Sequence, residues 1–309
     1  MPELPEVETV RAGLAPVVSG ALVQGIEVLD QRSLRRHLAG VSDFSEQLTG
    51  KRLEAAVRRG KFLWFPLATQ DGAPTGLALV GHLGMSGQML LRPKGAAPDK
   101  LTRVVLSLLT STGQVMEFRF IDQRLFGGLQ LDVLVDTRDA GTGGFCPEQE
   151  LPASWVWQIP SCAAHIARDP LDADFDLTAV LAKLRVKKTG IKRALLDQNL
   201  VSGIGNIYAD ESLWRAKIHY DQSADSISPA KLRELFGHVD DILRAAVLVG
   251  GTSFDDQYKN VNGQSGYFEI SLNAYGRTGS GCARCGTPIK REEWANRGSH
   301  FCPRCQRKR

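Results

Sequence analysis

The sequence lacks several features that define common classes of protein. No apolar run among its 309 residues approaches the roughly 20 residues that a membrane-spanning helix needs. Residues 1–6 (MPELPE) contain no basic region leading into an apolar core, so they do not resemble a secretory signal. No internal repeat is visible. We therefore expect a cytoplasmic protein without membrane contact, whose cysteines stay reduced.

Positive charge is concentrated in two places. The formal net charge is only +4, but residues 282–309 carry eight Lys or Arg against two Glu, a net +6. A second block, residues 183–193, has six basic residues and no acidic one. Either block alone is typical of a solvated surface. Two separated blocks on a near-neutral background favour a polyanionic partner such as nucleic acid.

The hydrophobic pattern changes along the chain, which is long enough for more than one core. Residues 5–19 predict a helix, with Pro5 in its first turn. Short β-type runs follow, and many short strands behind one helix are typical of a β-sandwich. These runs are residues 22–29, 52–58, 62–67, 77–82, 104–109 and 115–120. Residues 136–160 predict a long surface loop. Four later segments predict helices: residues 177–184, 191–198, 207–216 and 229–249.

Four of the six cysteines form two CxxC pairs. Cys282 and Cys285 are separated by 16 residues from Cys302 and Cys305, a spacing typical of a tetrahedral four-cysteine zinc site. The alternative, two disulfide bonds, is disfavoured by the expected reducing compartment. A site with four protein ligands is closed, so we expect one structural Zn²⁺ that holds a β-hairpin and performs no hydrolysis.

Pro2 could act as an amine nucleophile if removal of Met1 exposes its nitrogen. An α-amine has a pKa of about 7.7–8.0 against about 10.4 for Lys, so far more of it is unprotonated at neutral pH. Attack of a secondary amine on a sugar C1′ gives a permanently cationic iminium, which acidifies the C2′ proton and drives β-elimination. Glu3 could protonate the sugar ring oxygen. Pro-Glu starts are common, so these residues alone do not establish the role.

Several motifs resemble the formamidopyrimidine-DNA glycosylase family, in the family's order and over essentially the whole chain. They are residues 1–9 (MPELPEVET), 60–63 (GKFL), 82–87 (HLGMSG), 122–127 (DQRLFG), 203–209 (GIGNIYA) and the four-cysteine terminus. The resemblance implies a monomeric base-excision-repair enzyme acting on double-stranded DNA. It would remove 8-oxoguanine paired with cytosine and formamidopyrimidines, then cleave the abasic site by β- and δ-elimination. Zn²⁺ would be its one cofactor.

The same resemblance implies roles at the catalytic centre. Pro2 would be the Schiff-base nucleophile, Glu3 the proton donor and Glu6 a support inside the pocket. Lys61 would bind a phosphate beside the reacting nucleotide, and its charge would help keep the Pro2 amine deprotonated. Without its motif, Lys61 would be predicted to be an ordinary surface charge at the start of a strand.

Three residues are implied to fill the helix after base flipping. An enzyme that acts on a base inside a duplex must flip the base out and fill the gap. The family does this with a Met, an Arg and a Phe, which match Met85, Arg124 and Phe126. Met85 and Phe126 would more often be core residues on their own, but neighbouring glycines favour exposed loop tips. Many members have a second Arg where this chain has Leu125, so one DNA contact of those members lacks its residue here.

Further DNA contacts are implied in the C-terminal part. Residues 203–209 resemble the family's helix–two-turns–helix motif, with Asn206 as the N-cap of a helix that binds phosphate. An ordinary capped turn is the alternative for these residues. Lys192 would lie close by, and Arg297 would reach a phosphate from the arm between the cysteine pairs. Residues 250–267 resemble the loop that closes over the flipped base, although Asp255 replaces a basic residue found in some members.

We therefore predict an α+β protein of three domains. Residues 1–165 would form a catalytic β-sandwich flanked by helices, residues 166–274 a helix–two-turns–helix domain with the lesion loop, and residues 275–309 a zinc ribbon. One alternative is an endonuclease VIII-like enzyme for oxidised pyrimidines, which the match to Met85, Arg124 and Phe126 disfavours. The other is a non-catalytic lesion-binding protein, which would have no need of Pro2, Glu3 and Lys61.

Overall fold

The structure, a computed structural model, describes residues 2–147, 153–252 and 272–308. These residues form two compact units. The first contains the described residues up to His165 together with Thr252, and the second contains residues 166–251 and those from 272 onward. None of the helices within the described ranges is both long enough and apolar enough to cross a bilayer.

The first unit is built mainly from β-strands. Its described residues form helices α1 and α2, a ten-stranded sheet and short 3₁₀ helices, among them Gln31–Leu34. The helices are α1 (Leu4–Val18) and α2 (Gly40–Leu48). The strands are β1 (Ala21–Val28), β2 (Arg52–Leu53), β3 (Val57–Arg59), β4 (Phe62–Ala68), β5 (Pro74–His82), β6 (Gly87–Pro93), β7 (Thr102–Leu109), β8 (Val115–Asp122), β9 (Gly128–Asp136) and β10 (Gln158–Pro160).

Helix α1 matches the predicted leading helix to within one residue at each end. A proline in its first turn has no backbone N–H to leave unpaired. Its buried face packs into the core of the first unit with the aliphatic residues Val7, Val10, Leu14 and Val18. The helix ends where Gly20 adopts a positive φ of 76° and the chain turns into β1.

The ten strands form one antiparallel sheet that curls over itself. Their order is β10-β9-β5-β4-β2-β1-β7-β8-β6, with β3 paired to β4. Phe65 of β4 meets Phe118 of β8 edge to face at a centroid distance of 5.9 Å. A Cβ placed on Gly81 of β5 would lie 2.1 Å from Cε of Met89 on β6. Because strands far apart in the order pack face to face, the single sheet makes the predicted β-sandwich.

The predicted surface loop at residues 136–160 is only partly irregular. Strand β10 pairs with the end of β9, with Ile159 opposite Val135. The backbone of Phe145 forms a bridge with Arg58, exchanging hydrogen bonds of 2.7 and 3.1 Å. A Cβ on Gly144 would lie 2.6 Å from the Arg58 carbonyl oxygen, so this approach needs glycine. The prediction of an irregular surface loop is therefore wrong for these segments. Residues 148–152 lie outside the described residues.

The second unit carries four described helices and a β-hairpin. The helices are α3 (Leu177–Leu184), α4 (Ile191–Leu195), α5 (Asn206–Ala216) and α6 (Pro229–Leu248), and the hairpin pairs β11 (Lys290–Trp294) with β12 (Arg297–Phe301). The four predicted helices are confirmed, although α4 is three residues shorter than expected. Helix α6 begins with a capping Ser228 that accepts from the Lys231 N–H, followed by Pro229.

Candidate active site and nucleic-acid interface

The N-terminal residues are buried at the start of α1. Pro2 is buried, and Glu3 and Glu6 each keep only 2 % of their surface exposed. The Glu3 N–H donates to Oε2 of Glu6 at 2.8 Å. Oε1 of Glu6 accepts from the backbone N–H and the hydroxyl of Thr252, at 2.8 and 3.1 Å. Glu6 thus ties the N-terminus to Thr252, which belongs to the predicted lesion loop of residues 250–267. Residues 253–267 of that loop lie outside the described residues.

A buried ion pair holds α1 against the strand that leads to Lys61. Glu8 Oε2 accepts from Nε of Arg58 at 2.9 Å, and Arg11 forms a second ion pair with Glu8. Arg58 lies on β3, which is joined to β4 by a tight turn through Gly60 and Lys61. Gly60 has a φ of 55°, a conformation that glycine adopts without steric cost. Lys61 is partly exposed at this turn.

His82, at the end of β5, is held neutral near several cations. Its ring meets Phe62 edge to face at 5.6 Å, and its Nδ1 accepts from the Gly84 N–H at 3.0 Å. Burial, followed by the charges of Arg36, Arg35 and Lys61, lowers the pKa of His82 to about 4, against an opposite effect of Asp122. The imidazole is therefore a neutral group at physiological pH.

Asp122 organises the two loops that carry the predicted wedge residues. Its Oδ1 accepts from the Ser86 hydroxyl at 2.6 Å and from the Arg124 N–H at 3.1 Å, and its Oδ2 accepts from the Gly127 N–H at 2.7 Å. Asp122 is fully buried. A Cβ on Gly84 would lie 2.4 Å from the Gly127 nitrogen, so the two loops touch where only glycine fits.

The wedge residues themselves are exposed at these loop tips. Met85 keeps 37 % of its surface accessible and Phe126 keeps 44 %. The Arg124 guanidinium carbon lies 5.3 Å from the centroid of the Phe126 ring, within cation–π distance. Leu125 adopts a positive φ of 55° between them. The Arg35 guanidinium donates to the carbonyl oxygens of Leu125 and Phe126, the latter at 2.9 Å, and so holds this backbone in place.

Lys192 and Asn206 were predicted to contact DNA, but in the structure they form hydrogen bonds within the second unit. Lys192 is fully buried, and its ammonium lies 2.6 Å from Oδ1 of Asp210. It also donates to Ser299 Oγ at 2.8 Å and to the Gly298 carbonyl at 3.2 Å. Direct contact between Lys192 and DNA is therefore not supported, because no surface of its side chain is accessible.

Asn206 is the first residue of α5, whereas the prediction made it the N-cap. The N-cap is Gly205, which has no side chain of its own to cap the helix. The Asn206 amide donates to the same Gly298 carbonyl at 3.0 Å. Lys192 and Asn206 thus anchor Gly298, the residue that follows Arg297. The Arg297 side chain is exposed. Their contribution to this interface is to position the hairpin.

The four predicted cysteine ligands converge at the base of the hairpin. Their Sγ atoms lie within 4.8 Å of one another, and no disulfide bond joins them. Four sulfurs bound to zinc at about 2.3 Å would be roughly 3.8 Å apart in a tetrahedron, so this cluster fits one ion. Trp214 Nε1 donates to Cys282 Sγ at 3.4 Å, the kind of contact that orients a metal ligand. The site holds one structural zinc ion.

Models of three domains match the chain in order. The formamidopyrimidine-DNA glycosylase N-terminal domain matches residues 1–129, the H2TH domain of the same enzymes matches residues 166–257, and a zinc finger found in FPG and IleRS matches residues 279–307. A protein of Leifsonia xyli subsp. xyli named formamidopyrimidine-DNA glycosylase is 52 % identical over 307 residues, which cover 99 % of this chain and 100 % of the relative. The chain belongs to the formamidopyrimidine-DNA glycosylase family.

Other members agree in sequence and structure. A formamidopyrimidine-DNA glycosylase of Streptomyces avermitilis is 50 % identical, with coverage of 99 % of this chain and 98 % of the relative. A Lactococcus lactis FPG variant solved with Fapy-dG containing DNA has a TM-score of 0.79 and 33 % identity. MutM solved with DNA containing carbocyclic 8-oxo-G has a TM-score of 0.78 and 33 % identity. Both solved structures match over 99 % of this chain and 100 % of the other.

Several residues that shape this family member's site were not predicted from the sequence. Asp122 lies inside a quoted motif and Asp210 inside a predicted helix, but neither has a predicted role, and Arg35 lies in a segment without a signal of its own. An Asp just after a β-type run can accept from the backbone N–H two residues on, and Asp122 has this position relative to Arg124. Arg35 acts on residues 90 positions later in the chain, a relation that one sequence does not reveal.

Proposed function

We propose that this protein is a DNA glycosylase and AP lyase that removes 8-oxoguanine and formamidopyrimidines from double-stranded DNA. The observation that carries the proposal is the burial of Pro2 and Glu3 at the start of α1, with Glu6 hydrogen-bonded to the Glu3 N–H. Names and complexes of its relatives agree with this activity. We also propose a cytoplasmic location, where reduced thiols are available to bind zinc.

Base removal begins with the nitrogen of Pro2, once Met1 has been cleaved. The nitrogen attacks C1′ of the damaged nucleotide, and the bond from C1′ to the base breaks with its electron pair leaving on the base, which takes up a proton. Glu3 protonates the ring oxygen O4′ as the sugar opens, so that C1′ and the nitrogen form an iminium. Glu6 accepts a hydrogen bond from the Glu3 backbone N–H and thereby keeps the Pro2 nitrogen and the Glu3 carboxyl group in fixed positions.

Strand cleavage follows from the charge of that iminium. Loss of the C2′ proton sends its electron pair toward the iminium and expels the 3′ phosphate, which is β-elimination. A second elimination expels the 5′ phosphate. Lys61 binds the adjacent backbone phosphate and opposes protonation of the Pro2 amine. Met85, Arg124 and Phe126 fill the space of the flipped nucleotide from their exposed loop tips.

Borohydride trapping tests the nucleophile. Reduction of the iminium by hydride should leave a covalent adduct between wild-type protein and a duplex that contains 8-oxoguanine opposite cytosine. Pro2→Gly should give far less adduct, and Glu3→Gln, the matched control, should bind the duplex but excise the base slowly. If Pro2→Gly traps and cleaves as well as wild type, or if mass measurement finds Met1 on the active protein, the proposed nucleophile is wrong.

Substrate comparison tests the specificity. Single-turnover excision should be fast on duplexes with 8-oxoguanine or formamidopyrimidine and slow on duplexes with an oxidised pyrimidine. The reverse order would identify the endonuclease VIII-like alternative. Lesion binding without release of any base would identify a non-catalytic lesion-binding protein.

A further inference from the structure

A pocket of about 420 Å³ lies within the second unit, between the α4 region and the turn of the β11–β12 hairpin. Its charged and aromatic lining residues are Lys187, Arg193, Asp197, Trp294 and Arg297. Of these, Arg297 alone was assigned to DNA contact from the family resemblance. The other four have no role in the function proposed above.

The pocket has an excess of positive charge. Lys187 Nζ lies 2.6 Å from Oδ2 of Asp197, so this pair contributes no net charge. Arg193 and Arg297 are both exposed. Among the residues that the structure describes, no carboxylate lies within ion-pair distance of either guanidinium. Two guanidinium groups that no carboxylate of the described residues neutralises therefore line this concave site, which is the composition of a site for an anion.

Trp294 joins the two arginines. The hairpin turns through Ala295 and Asn296, which both have positive φ, at 47° and 59°. That two-residue turn places Trp294 directly opposite Arg297 in the strand register. The Arg193 guanidinium carbon lies 5.7 Å from the indole centroid, within cation–π distance. The indole thus orients Arg193 and leaves part of its own surface accessible.

The pocket is formed before any ligand arrives. Tyr220, which is buried, meets the Trp294 ring edge to face at 6.3 Å. The anchoring of the Gly298 carbonyl by Lys192 and Asn206 fixes the hairpin on the side of Arg297. Neither of these contacts involves the Arg193 guanidinium, which stays exposed at the pocket.

We propose that this pocket binds a backbone phosphate of duplex DNA, with Arg193 and Arg297 donating to its oxygens and Trp294 packing against the adjoining deoxyribose. The inference rests on the proposed function, because it extends the DNA-binding surface beyond Arg297. It makes Arg193 and Trp294 binding residues that act on affinity and take no part in base excision.

The test is the salt dependence of DNA binding by the full chain. The probe is a short duplex with a tetrahydrofuran abasic analogue, and affinity is measured by fluorescence anisotropy between about 50 and 200 mM salt. Arg193→Gln should lower affinity about tenfold and reduce the slope of log K against log salt by about 0.9, the value of one phosphate contact. Arg193→Lys keeps the charge and should keep the slope.

Control variants separate this site from general effects. Arg244 on α6 is also exposed and is paired with Asp240 at 2.8 Å, so Arg244→Gln should bind like wild type. Trp294→Ala should weaken binding without changing the slope, because it removes no charge. Single-turnover excision by Arg244→Gln should likewise equal the wild-type rate.

The outcomes distinguish the two proposals. If Arg193→Gln keeps the wild-type salt slope while wild type still traps the duplex covalently, the pocket does not bind a DNA phosphate. The proposed glycosylase activity is unaffected by that result. A reduced slope in Arg193→Gln that Arg193→Lys restores supports the pocket. Failure of wild type to bind or trap the duplex overturns both.

Discussion

Lys192 and Asp210 form an ion pair of 2.6 Å in which both side chains are completely buried. Asp210 Oδ2 also accepts from the backbone N–H of His300 at 2.8 Å, while Lys192 donates to Ser299. The pair therefore joins α4 and α5 to strand β12 of the hairpin. This position explains why Lys192 of the basic block 183–193 is buried, whereas Arg193 beside it is exposed.

Breaking this pair should destabilise the second unit strongly. Asp210→Asn leaves the Lys192 ammonium buried without its counter-charge, and such a loss costs about 3–5 kcal/mol. We expect the urea midpoint of the unfolding transition that reports this unit to fall accordingly. The double variant Lys192→Met, Asp210→Asn should recover part of the loss, because no buried charge is left. If Asp210→Asn is as stable as wild type, the ion pair between Lys192 and Asp210 does not have this structural role.

Removal of zinc should abolish the C-terminal contribution to DNA binding. The apolar cluster around the metal site is small: Trp214, Ala274, Cys282, Ile289 and Cys302. Metal binding therefore supplies much of the hairpin's stability. Metal-free protein, checked by atomic absorption, should bind duplex DNA at least about tenfold more weakly, and added Zn²⁺ should restore affinity. Unchanged affinity of the metal-free protein would show that the hairpin folds without zinc or that it does not contribute to DNA binding.

Acid should destabilise the first unit through His82. Its folded pKa of about 4 lies below the ordinary 6.5, so between these values the unfolded chain binds more protons than the folded one. The stability present above pH 6.5 is therefore lost as the pH falls toward 4, by about 3 kcal/mol for this group. His82→Gln, which still offers an acceptor to the Gly84 N–H, should lose less stability than wild type between pH 7 and 4 in urea titrations. If wild type and His82→Gln lose the same free energy of unfolding between pH 7 and 4, His82 does not cause the loss.

Arg35 should be needed to present the wedge loop. Arg35→Gln removes the donors that hold the Leu125 and Phe126 carbonyls, and two exposed hydrogen bonds together amount to roughly 1–3 kcal/mol. We expect a roughly five- to 150-fold slower single-turnover excision of 8-oxoguanine, measured with enzyme in excess over the duplex but below saturation. Arg32→Gln is the matched control, since Arg32 is exposed in the short helix Gln31–Leu34, which Arg35 directly follows, and pairs with Asp30. Equal rates for the two variants would remove Arg35 from this role.

Local patterns were enough to predict much of the fold. Residues 177–184 form the helix expected from their periodicity, because an amphipathic segment of that length buries its apolar face in only one way. Residues 158–160 were missed as a strand, since three residues carry almost no periodic signal and become β-structure only by pairing with β9. The domain boundaries and the roles of Pro2, Glu3 and Lys61 stay predictions.

By itself the sequence established the family, the four zinc ligands and the candidate nucleophile, because each depends on residue identity and short spacing. The folded structure was needed to learn which basic residues are accessible, how Asp122 and Arg35 hold the wedge loops, and that Arg193 and Trp294 line one pocket. Those properties depend on contacts between residues up to about a hundred positions apart. Burial and partner choice are set by such contacts, and no local pattern in one chain encodes them.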